Sequence, residues 1–302
     1  METTWLPNLE RRPRRVAVGE FDGVHIGHRE VIAGADTVLT FEPHPLAVIK
    51  PSAAPRLITT AARRAELIAD LGVQELVLIP FDRDFSELSA EEFVEQVLVE
   101  RLAASHVSVG ENFRYGARAQ GDAQTLERDS RFATRIAPLV EVDGEIVSSS
   151  HIRALVGAGD VREAATRLGA PFQLRGEVVH GDKRGRELGY PTANLVPDER
   201  SVCPGHGVYA CVTSAGTAGG AGGRIPAAVN VGVRPTFTTG RGLLVEAFLL
   251  DWSGDLYGEE LRLDFLARLR GERRFGSVDA LVAQMARDVD DARGLTASLS
   301  PL

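Results

Sequence analysis

The 302-residue chain has very little lysine and very little cysteine. Lys50 and Lys183 are its two lysines, so arginine supplies nearly all of the positive charge. Cys203 and Cys211 are too few for a disulfide framework, which favours a reducing, cytoplasmic compartment. Acidic residues outnumber basic ones and give a formal net charge of -8, which argues against a protein that coats nucleic acid.

Long apolar runs are also missing. No segment approaches the length of a membrane span, and the arginine-rich start at residues 1–15 lacks the apolar core of a signal peptide. We therefore expect neither a membrane nor a nucleic acid among the partners. The composition is otherwise typical of a globular protein, since 44% of the residues are hydrophobic, and the length suits two domains better than one. The oligomeric state stays open.

The first half of the chain alternates strand-like and helix-like segments. Apolar runs bounded by turn residues predict strands at 15–18, 38–41, 75–81, 106–109 and 135–142. Amphipathic spacing predicts helices over 59–71, 89–103 and 150–168. The second of these helices opens with the capping-box spacing of Ser89 and Glu92. This alternation predicts a Rossmann-like α/β domain, with a parallel sheet and helices on its faces.

After Gly169 the pattern changes to strands alone. The predicted strands are 173–180, 207–213, 225–231, 243–251 and 261–269. Such a series predicts a small antiparallel β-barrel, which the amphipathic segment 277–293 would follow as a terminal helix. The Gly- and Ala-rich stretch 215–223 predicts a hairpin loop. We place the boundary near residue 170, which divides the chain into domains 1–170 and 171–302.

A basic, glycine-rich loop at 181–195 is the most informative part of the sequence. Its glycines let the backbone approach a ligand closely, and basic side chains lie between them. The residues concerned are Gly181, Lys183, Arg184, Gly185, Arg186 and Gly189. Thr192 and Asn194 alternate along an extended chain and add hard oxygen ligands that point the same way. The loop is suited to a magnesium-bound nucleotide phosphate, although a basic surface hairpin has a similar composition.

A second motif, Gly19-Glu-Phe-Asp-Gly-Val-His-Ile-Gly-His28, follows the first predicted strand. Ligands of open parallel sheets bind beyond the carboxyl ends of strands, where this segment lies. His25 and His28 would share one face at the positive end of a helix that begins here. Two imidazoles there could stabilise charge that develops on a phosphorus atom under attack. A His-x-x-His pair alone is weak evidence, and metal binding or plain packing are alternatives.

The segment 147–153 follows the last predicted strand of the first half. Its serines could bind a triphosphate at a helix N-terminus, and Arg153 could neutralise the phosphate charge. The serines alone favour a simple helix cap. Together with His25 and His28, the segment favours a nucleotidyltransferase. His-Ile-Gly-His is also the motif of class I aminoacyl-tRNA synthetases, but the lysine-rich loop of those enzymes is missing here.

From about Val16 to Ala292 the chain resembles the bacterial bifunctional riboflavin kinase/FAD synthetases. The resemblance rests on the segments 19–28, 40–45, 109–116, 148–153, 181–195, 230–237 and 245–258 and on the final helix around Asp288. It implies an FMN adenylyltransferase domain at 1–170 and a riboflavin kinase domain at 171–302. Riboflavin, FMN and ATP would be the substrates, and Mg²⁺ the cofactor.

The resemblance also implies roles for individual residues. In the first domain, His25 and His28 would be catalytic, and ATP and phosphate would be bound by Gly19, Phe21, His25, His28, Asn112, Ser149 and Arg153. The flavin would lie near Phe41, Glu42 and Asn112. In the second domain, ATP would be bound by Gly181, Lys183, Gly185, Arg186, Thr192 and Asn194. Thr192 and Asn194 would also hold the magnesium ion, and Arg234 is a weaker candidate for a flavin contact.

Glu246 is the candidate general base of the second domain. It interrupts an otherwise apolar strand and shares a face with Leu244 and Phe248, where a carboxylate is costly without a partner or a function. It could take the proton of a substrate hydroxyl that attacks a γ-phosphate. The residues alone leave an exposed glutamate at a barrel edge as an equal alternative, whereas the resemblance matches Glu246 to the catalytic glutamate of the family.

Two features of the first domain depart from the family. Residues 29–37 are all that separate His28 from the next predicted strand, whereas a strand–helix–strand crossover needs roughly 10–12 residues. Glu42 also stands where the family has aspartate. We therefore expect adenylylation to survive in weakened form. The alternatives are a monofunctional riboflavin kinase with a degenerate first domain and a non-catalytic flavin-binding module.

Overall fold

The computed structural model describes residues 1–181, 189–214, 224–234 and 242–297. The chain forms two compact units, Met1–Ser149 and Ser150–Leu302. The helices between 149 and 168 lie between this division and the boundary near residue 170, which stays a prediction. The hairpin loop predicted at 215–223 lies outside the described residues. In the described ranges, no helix combines the length and the apolar character that crossing a bilayer requires.

The first unit is built on a parallel sheet of six strands. They are β1 Glu2–Trp5, β2 Arg14–Val18, β3 Thr37–Glu42, β4 Glu75–Pro80, β5 Ala104–Gly110 and β8 Ala133–Ala137. Their order is β1-β4-β3-β2-β5-β8, and each pairing is parallel, which confirms the predicted architecture. The sequence did not predict β1, because this edge strand is almost entirely exposed and carries no apolar run.

Two short ribbons flank this sheet. They pair β6 Arg114–Tyr115 with β7 Gly121–Asp122 and β9 Glu141–Val142 with β10 Glu145–Ile146. The helices are α1 Ile26–Ile32, α2 Pro45–Ile49, α3 Ala61–Ala69, α4 Arg83–Ser86, α5 Ala90–Glu92 and α6 Ala123–Glu127. The predicted capping box opens α5, which continues as the π-helix Phe93–Arg101. Residues from β2, β3, β4 and β5 pack with this π-helix in a shared apolar cluster.

The crossover from β2 to β3 is longer than the count from His28 indicated. It comprises all residues between Val18 and Thr37, and α1 begins at Ile26, before His28. The count underestimated the crossover because His28 lies inside the helix. The connection exceeds the minimum of roughly 10–12 residues, and β2 pairs with β3 in the ordinary parallel manner. The connection is therefore long enough to form, and the expectation of weakened adenylylation stays a prediction.

Two helices lead into the barrel, α7 Ser149–Ala158 and α8 Val161–Leu168, with the predicted interruption between them. The barrel strands are β11 Phe172–Val179, β12 Ala193–Pro197, β13 Gly207–Ser214, β14 Arg224–Arg234, β15 Gly242–Leu249 and β16 Glu260–Arg270. They close in the antiparallel order β11-β12-β15-β14-β13-β16. β12 adds a strand to the five that were predicted.

The last helix, α9 Val278–Ala297, packs against β13, β14 and β16. Since the barrel interior is filled by side chains such as Val229 and Val245, α9 covers the outside of these strands. Arg270 at the end of β16 donates from Nε to Oδ1 of Asp288 at 2.9 Å and from Nη2 to Oδ2 at 2.8 Å. The Asp288 side chain is buried, so this bidentate ion pair fixes α9 on one side of the barrel.

Candidate functional site

The carboxyl ends of β2 and β5 lie side by side where the strand order of the first unit reverses. β3 and β4 lie on one side of β2, whereas β5 and β8 lie on the other. In open α/β sheets, ligands bind in the crevice at such a switch point. The loop 19–25 follows β2, and Asn112 follows β5 with an exposed side chain. The structure therefore brings these predicted site residues to one edge of the sheet.

His25 and His28 lie together, as the motif predicts. His25 is the N-cap of α1, and its Nδ1 accepts a hydrogen bond of 3.2 Å from the backbone N–H of His28. The two rings stack with their centroids 3.5 Å apart. Because Nδ1 of His25 accepts, the proton of the neutral ring is on Nε2, which can donate to a phosphate oxygen. The His25 side chain is buried and that of His28 is partly buried, so both rings are held in place.

Phe21 packs against His28, and Gly19 leaves the space that the Phe21 ring occupies. The Phe21 ring is 1% exposed and stands edge-on to the His28 ring, with the centroids 5.4 Å apart. A Cβ on Gly19 would lie 3.0 Å from the Phe21 ring, so glycine is the residue that lets the ring lie there. The binding roles predicted for these two residues stay predictions, and the contact that the structure shows is the packing beneath His28.

Asp22 and Thr59 hold the loop that carries His25, a role that the sequence reasoning missed. The buried Asp22 carboxylate accepts the backbone N–H groups of Ile58 at 3.0 Å and Thr59 at 2.9 Å. Thr59 Oγ1 accepts the N–H of Gly23 at 3.0 Å, and Ser149 donates its hydroxyl to the Asp22 carbonyl at 2.9 Å. This network fixes the loop between β2 and α1. No local pattern reveals it, because its members come from distant parts of the sequence.

A buried arginine joins the ends of β2 and β3. Arg64 on α3 is 3% exposed, and its Nη2 donates to Glu42 Oε2 at 2.9 Å and to the Phe41 carbonyl at 3.4 Å. Its Nη1 donates to the carbonyl of Glu20, in the loop after β2, at 3.3 Å. The Glu42–Pro43 peptide bond is cis. The sequence reasoning missed Arg64 because an arginine on an amphipathic helix is ordinarily exposed.

Ser149 and Arg153 both lie on α7, one turn apart. Ser149 is the first residue of the helix, and its hydroxyl donates a hydrogen bond to the Asp22 carbonyl. Arg153 belongs to the second compact unit, and its phosphate-binding role stays a prediction.

Asn194, Glu246 and Asn230 form a row across three strands of the barrel. The register places Asn194 of β12 opposite Glu246 of β15, and Glu246 opposite Asn230 of β14. Paired residues of antiparallel strands project to the same face, with Cβ atoms about 4.5–5.5 Å apart. The structure thus brings the predicted base beside a predicted magnesium ligand. It also adds Asn230, which the sequence reasoning placed in a family motif without giving it a role.

Glu246 projects from the outer face of the barrel. Val245 and Ala247 are 0% exposed and line the interior, whereas Leu244, Glu246 and Phe248 are partly exposed. Glu246 therefore shares its face with Leu244 and Phe248, as the alternation along the strand predicted. The strand reads as apolar on both faces because its outer face is also partly covered. The role of Glu246 as a base stays a prediction.

Gly181 lies directly against Asn194. A Cβ on Gly181 would lie 2.6 Å from Oδ1 of Asn194 and closer still to its Nδ2, so a side chain at position 181 would displace the carboxamide. Thr192 directly precedes β12 and is partly exposed. Nearby, the Tyr190 ring packs edge-on against Phe248, with the centroids 5.2 Å apart. The predicted site residues Lys183, Gly185 and Arg186, and the side chain of Arg234, lie outside the described residues.

Comparison with known proteins assigns a family to each half of the chain. Residues 8–151 match the FAD synthetase family, and residues 168–296 match the riboflavin kinase family. The bifunctional riboflavin kinase/FMN adenylyltransferase of Escherichia coli strain K12 is 36% identical over 96% of each chain. The present chain belongs to the bifunctional riboflavin kinase/FMN adenylyltransferase family. Members from Listeria monocytogenes (35% identical, 94% of this chain and 93% of the relative) and Bacillus subtilis (34%, 92% and 90%) are similar over comparable lengths.

A solved structure shares the fold over almost the whole length. It covers 99% of this chain and 100% of its own, with a TM-score of 0.88 and 31% sequence identity. That protein is described as a macrolide-efflux protein from Streptococcus pneumoniae. The family matches place the present chain among riboflavin kinases and FAD synthetases. Because both halves match and the relatives are bifunctional over their length, a monofunctional kinase or a non-catalytic module is not favoured.

Proposed function

We propose which residues of this chain carry out each of the two activities of its family. The chain phosphorylates riboflavin to FMN and adenylylates FMN to FAD, and both steps use ATP. The first step takes place on the outer face of the barrel, and the second at the carboxyl edge of the parallel sheet. The assignment of the kinase site rests on the row of Asn194, Glu246 and Asn230. In this row the proposed base Glu246 lies beside Asn194, a predicted ligand of the magnesium-bound nucleotide.

Glu246 is the general base of the kinase. Its carboxylate takes the proton of the ribityl 5′-hydroxyl as that oxygen attacks the γ-phosphorus of ATP. A new O–P bond forms, the bond from the γ-phosphorus to the β-phosphate oxygen breaks, and ADP leaves. The outward position of Glu246 lets both substrates reach it, and its neighbour Asn194 brings the nucleotide to the same place.

Thr192 and Asn194 are suited to hold Mg²⁺ together with the nucleotide. Hydroxyl and carboxamide oxygens are hard ligands, and Mg²⁺ is commonly held by few protein groups together with water and phosphate oxygens. Gly181 leaves the space that the Asn194 carboxamide occupies. Among the described residues, no cluster of three or more His, Cys, Asp or Glu offers a closed protein cage for a metal. When bound, Mg²⁺ neutralises charge on the transferred phosphate.

His25 and His28 serve the adenylyltransferase. They hold the phosphates of ATP and stabilise the charge that develops when an FMN phosphate oxygen attacks the α-phosphorus and pyrophosphate leaves. Their ring stack and the Nδ1 hydrogen bond of His25 restrict both imidazoles before the substrate arrives. Ser149 and Asn112 complete the nucleotide site, and Phe41, Glu42 and Asn112 face the flavin.

A single reaction series tests this division. Purified protein is incubated with ATP and Mg²⁺, and either riboflavin or FMN is supplied while FMN and FAD are separated by chromatography. Glu246→Ala should lower FMN formation by about 100-fold or more and leave conversion of supplied FMN to FAD unchanged. His28→Ala should lower the conversion of supplied FMN to FAD and leave FMN formation unchanged. Glu177→Ala, which removes an exposed carboxylate from β11, is the matched control.

Two outcomes would refute the assignment. Kinase turnover near the wild-type rate in Glu246→Ala would remove Glu246 as the base. Failure of the wild-type chain to form FAD from FMN, while FMN formation proceeds, would show that the first unit does not adenylylate FMN.

A further inference from the structure

The outer face of the barrel is asymmetric about Glu246. Asn194 lies on one side of it, on β12, and Asn230 lies on the other side, on β14. The glycine-rich loop leads into β12, whereas α9 packs against β14. A substrate on one side of the base therefore meets β12, and a substrate on the other side meets β14 and α9.

In-line phosphoryl transfer requires such an asymmetry. The donor phosphate and the attacking hydroxyl lie on opposite sides of the transferred group, roughly in line. If Asn194 holds the donor over β12, the acceptor hydroxyl approaches Glu246 from the side of β14. Asn230 is the cross-strand neighbour of Glu246 on that side.

Small residues flank Asn230 on the outer face of strand β14. Val229 and Val231 are 0% exposed and point inward, so Asn230 points to the outer face together with Ala228 and Gly232. A Cβ on Gly232 would lie 2.7 Å from Oε1 of Glu272 and 3.9 Å from Nδ2 of Asn230, so the Glu272 carboxylate covers Gly232 and the Asn230 carboxamide extends beside it. Asn230 itself is partly exposed, so a ligand on this face can reach its carboxamide.

We propose that Asn230 binds the polyol chain of the alcohol substrate, through hydrogen bonds to the hydroxyl adjacent to the one that is phosphorylated. The proposal rests on the proposed role of Glu246 as the kinase base. A carboxamide both donates and accepts hydrogen bonds, as a hydroxyl does. The Asn230 side chain can therefore donate to and accept from the substrate hydroxyl next to the one that is phosphorylated. Asn230 is then a specificity residue that holds the chain while its terminal oxygen faces Glu246.

The test compares two substrates in two proteins. Wild type and Asn230→Ala are assayed for kinase kcat/KM with riboflavin and with an analogue that lacks the 4′-hydroxyl. The variant should lose about tenfold in kcat/KM for riboflavin, while its KM for ATP stays within about twofold. The kcat/KM of wild type should be about tenfold lower for the analogue than for riboflavin, whereas the kcat/KM of the variant should be the same for both substrates. Val196→Ala, an exposed truncation on β12, is the control.

The hypothesis fails if Asn230→Ala prefers riboflavin over the analogue as strongly as wild type does, or if its KM for ATP rises as much as its KM for riboflavin. Circular dichroism and urea unfolding of each variant show whether the barrel is folded, because conversion of supplied FMN to FAD reports only on the first unit. If the alanine variant does not fold, Asn230→Leu keeps a similar volume without hydrogen bonds and is measured in the same way. Failure of the proposed kinase site is recognised separately, because Glu246→Ala would then remain active.

Discussion

Replacing Gly181 by alanine tests the kinase site with a single methyl group. The new Cβ would lie 2.6 Å from Oδ1 of Asn194 and closer still to its Nδ2, whereas ordinary contact begins at 3.4 Å. Asn194 has a short side chain and is 7% exposed, so it has little free space into which to turn. The carboxamide must therefore move by about 1 Å or more, out of the row that it forms with Glu246.

A displacement of about 1 Å in a group that positions a substrate costs about 100-fold in rate. We therefore expect Gly181→Ala to lower kcat/KM for ATP in FMN formation by about 100-fold, which corresponds to about 2.7 kcal/mol. Conversion of supplied FMN to FAD should be unchanged, because His25 and His28 lie in the first unit.

The assay is the chromatographic measurement of FMN and FAD with varied ATP. Gly276→Ala is the matched control, since a Cβ on Gly276 would meet nothing within 4 Å. A kcat/KM within about threefold of wild type in Gly181→Ala would refute the geometric argument. An equal loss of both activities would instead show that the substitution unfolds the protein.

Two further predictions concern the first unit. Arg64→Met removes the guanidinium that holds Glu42, so FAD formation from supplied FMN should fall about tenfold or more while FMN formation persists; loss of both would contradict a local role. Burial alone would raise the pKa of the Glu75 carboxyl, but the hydrogen bond from Arg14 at 2.6 Å and the charges of Arg14 and Arg12 hold that pKa below its usual value. Its stabilising contribution is therefore present at neutral pH and lost as the pH falls through and below the usual glutamate range. Glu75→Gln should lower the free energy of unfolding of the first unit by about 3 kcal/mol at pH 7, and this free energy should then fall less steeply as the pH is lowered. Urea unfolding at several pH values measures both effects. The idea is wrong if the free energy of unfolding of the variant falls with pH as steeply as that of wild type.

The order of the elements was accessible from the sequence because it depends on local periodicity. Alternating apolar runs and amphipathic helices predicted the parallel sheet, and the run of strands after Gly169 predicted the barrel. The motif residues His25 and His28 are close in sequence, so their proximity also followed from local spacing. The same reasoning failed where an element lacks a pattern, as in the exposed strand β1.

The sequence by itself determined the two fold types and the kinds of side chain that the sites would use, since both follow from patterns within a few residues. Only the tertiary structure decided which side chains meet. Glu246 lies outside the barrel rather than in its core because closure of the barrel, not the run of apolar residues, determines which face is interior. Its partners Asn194 and Asn230 come from strands on either side, and strand register is a property of the assembled barrel.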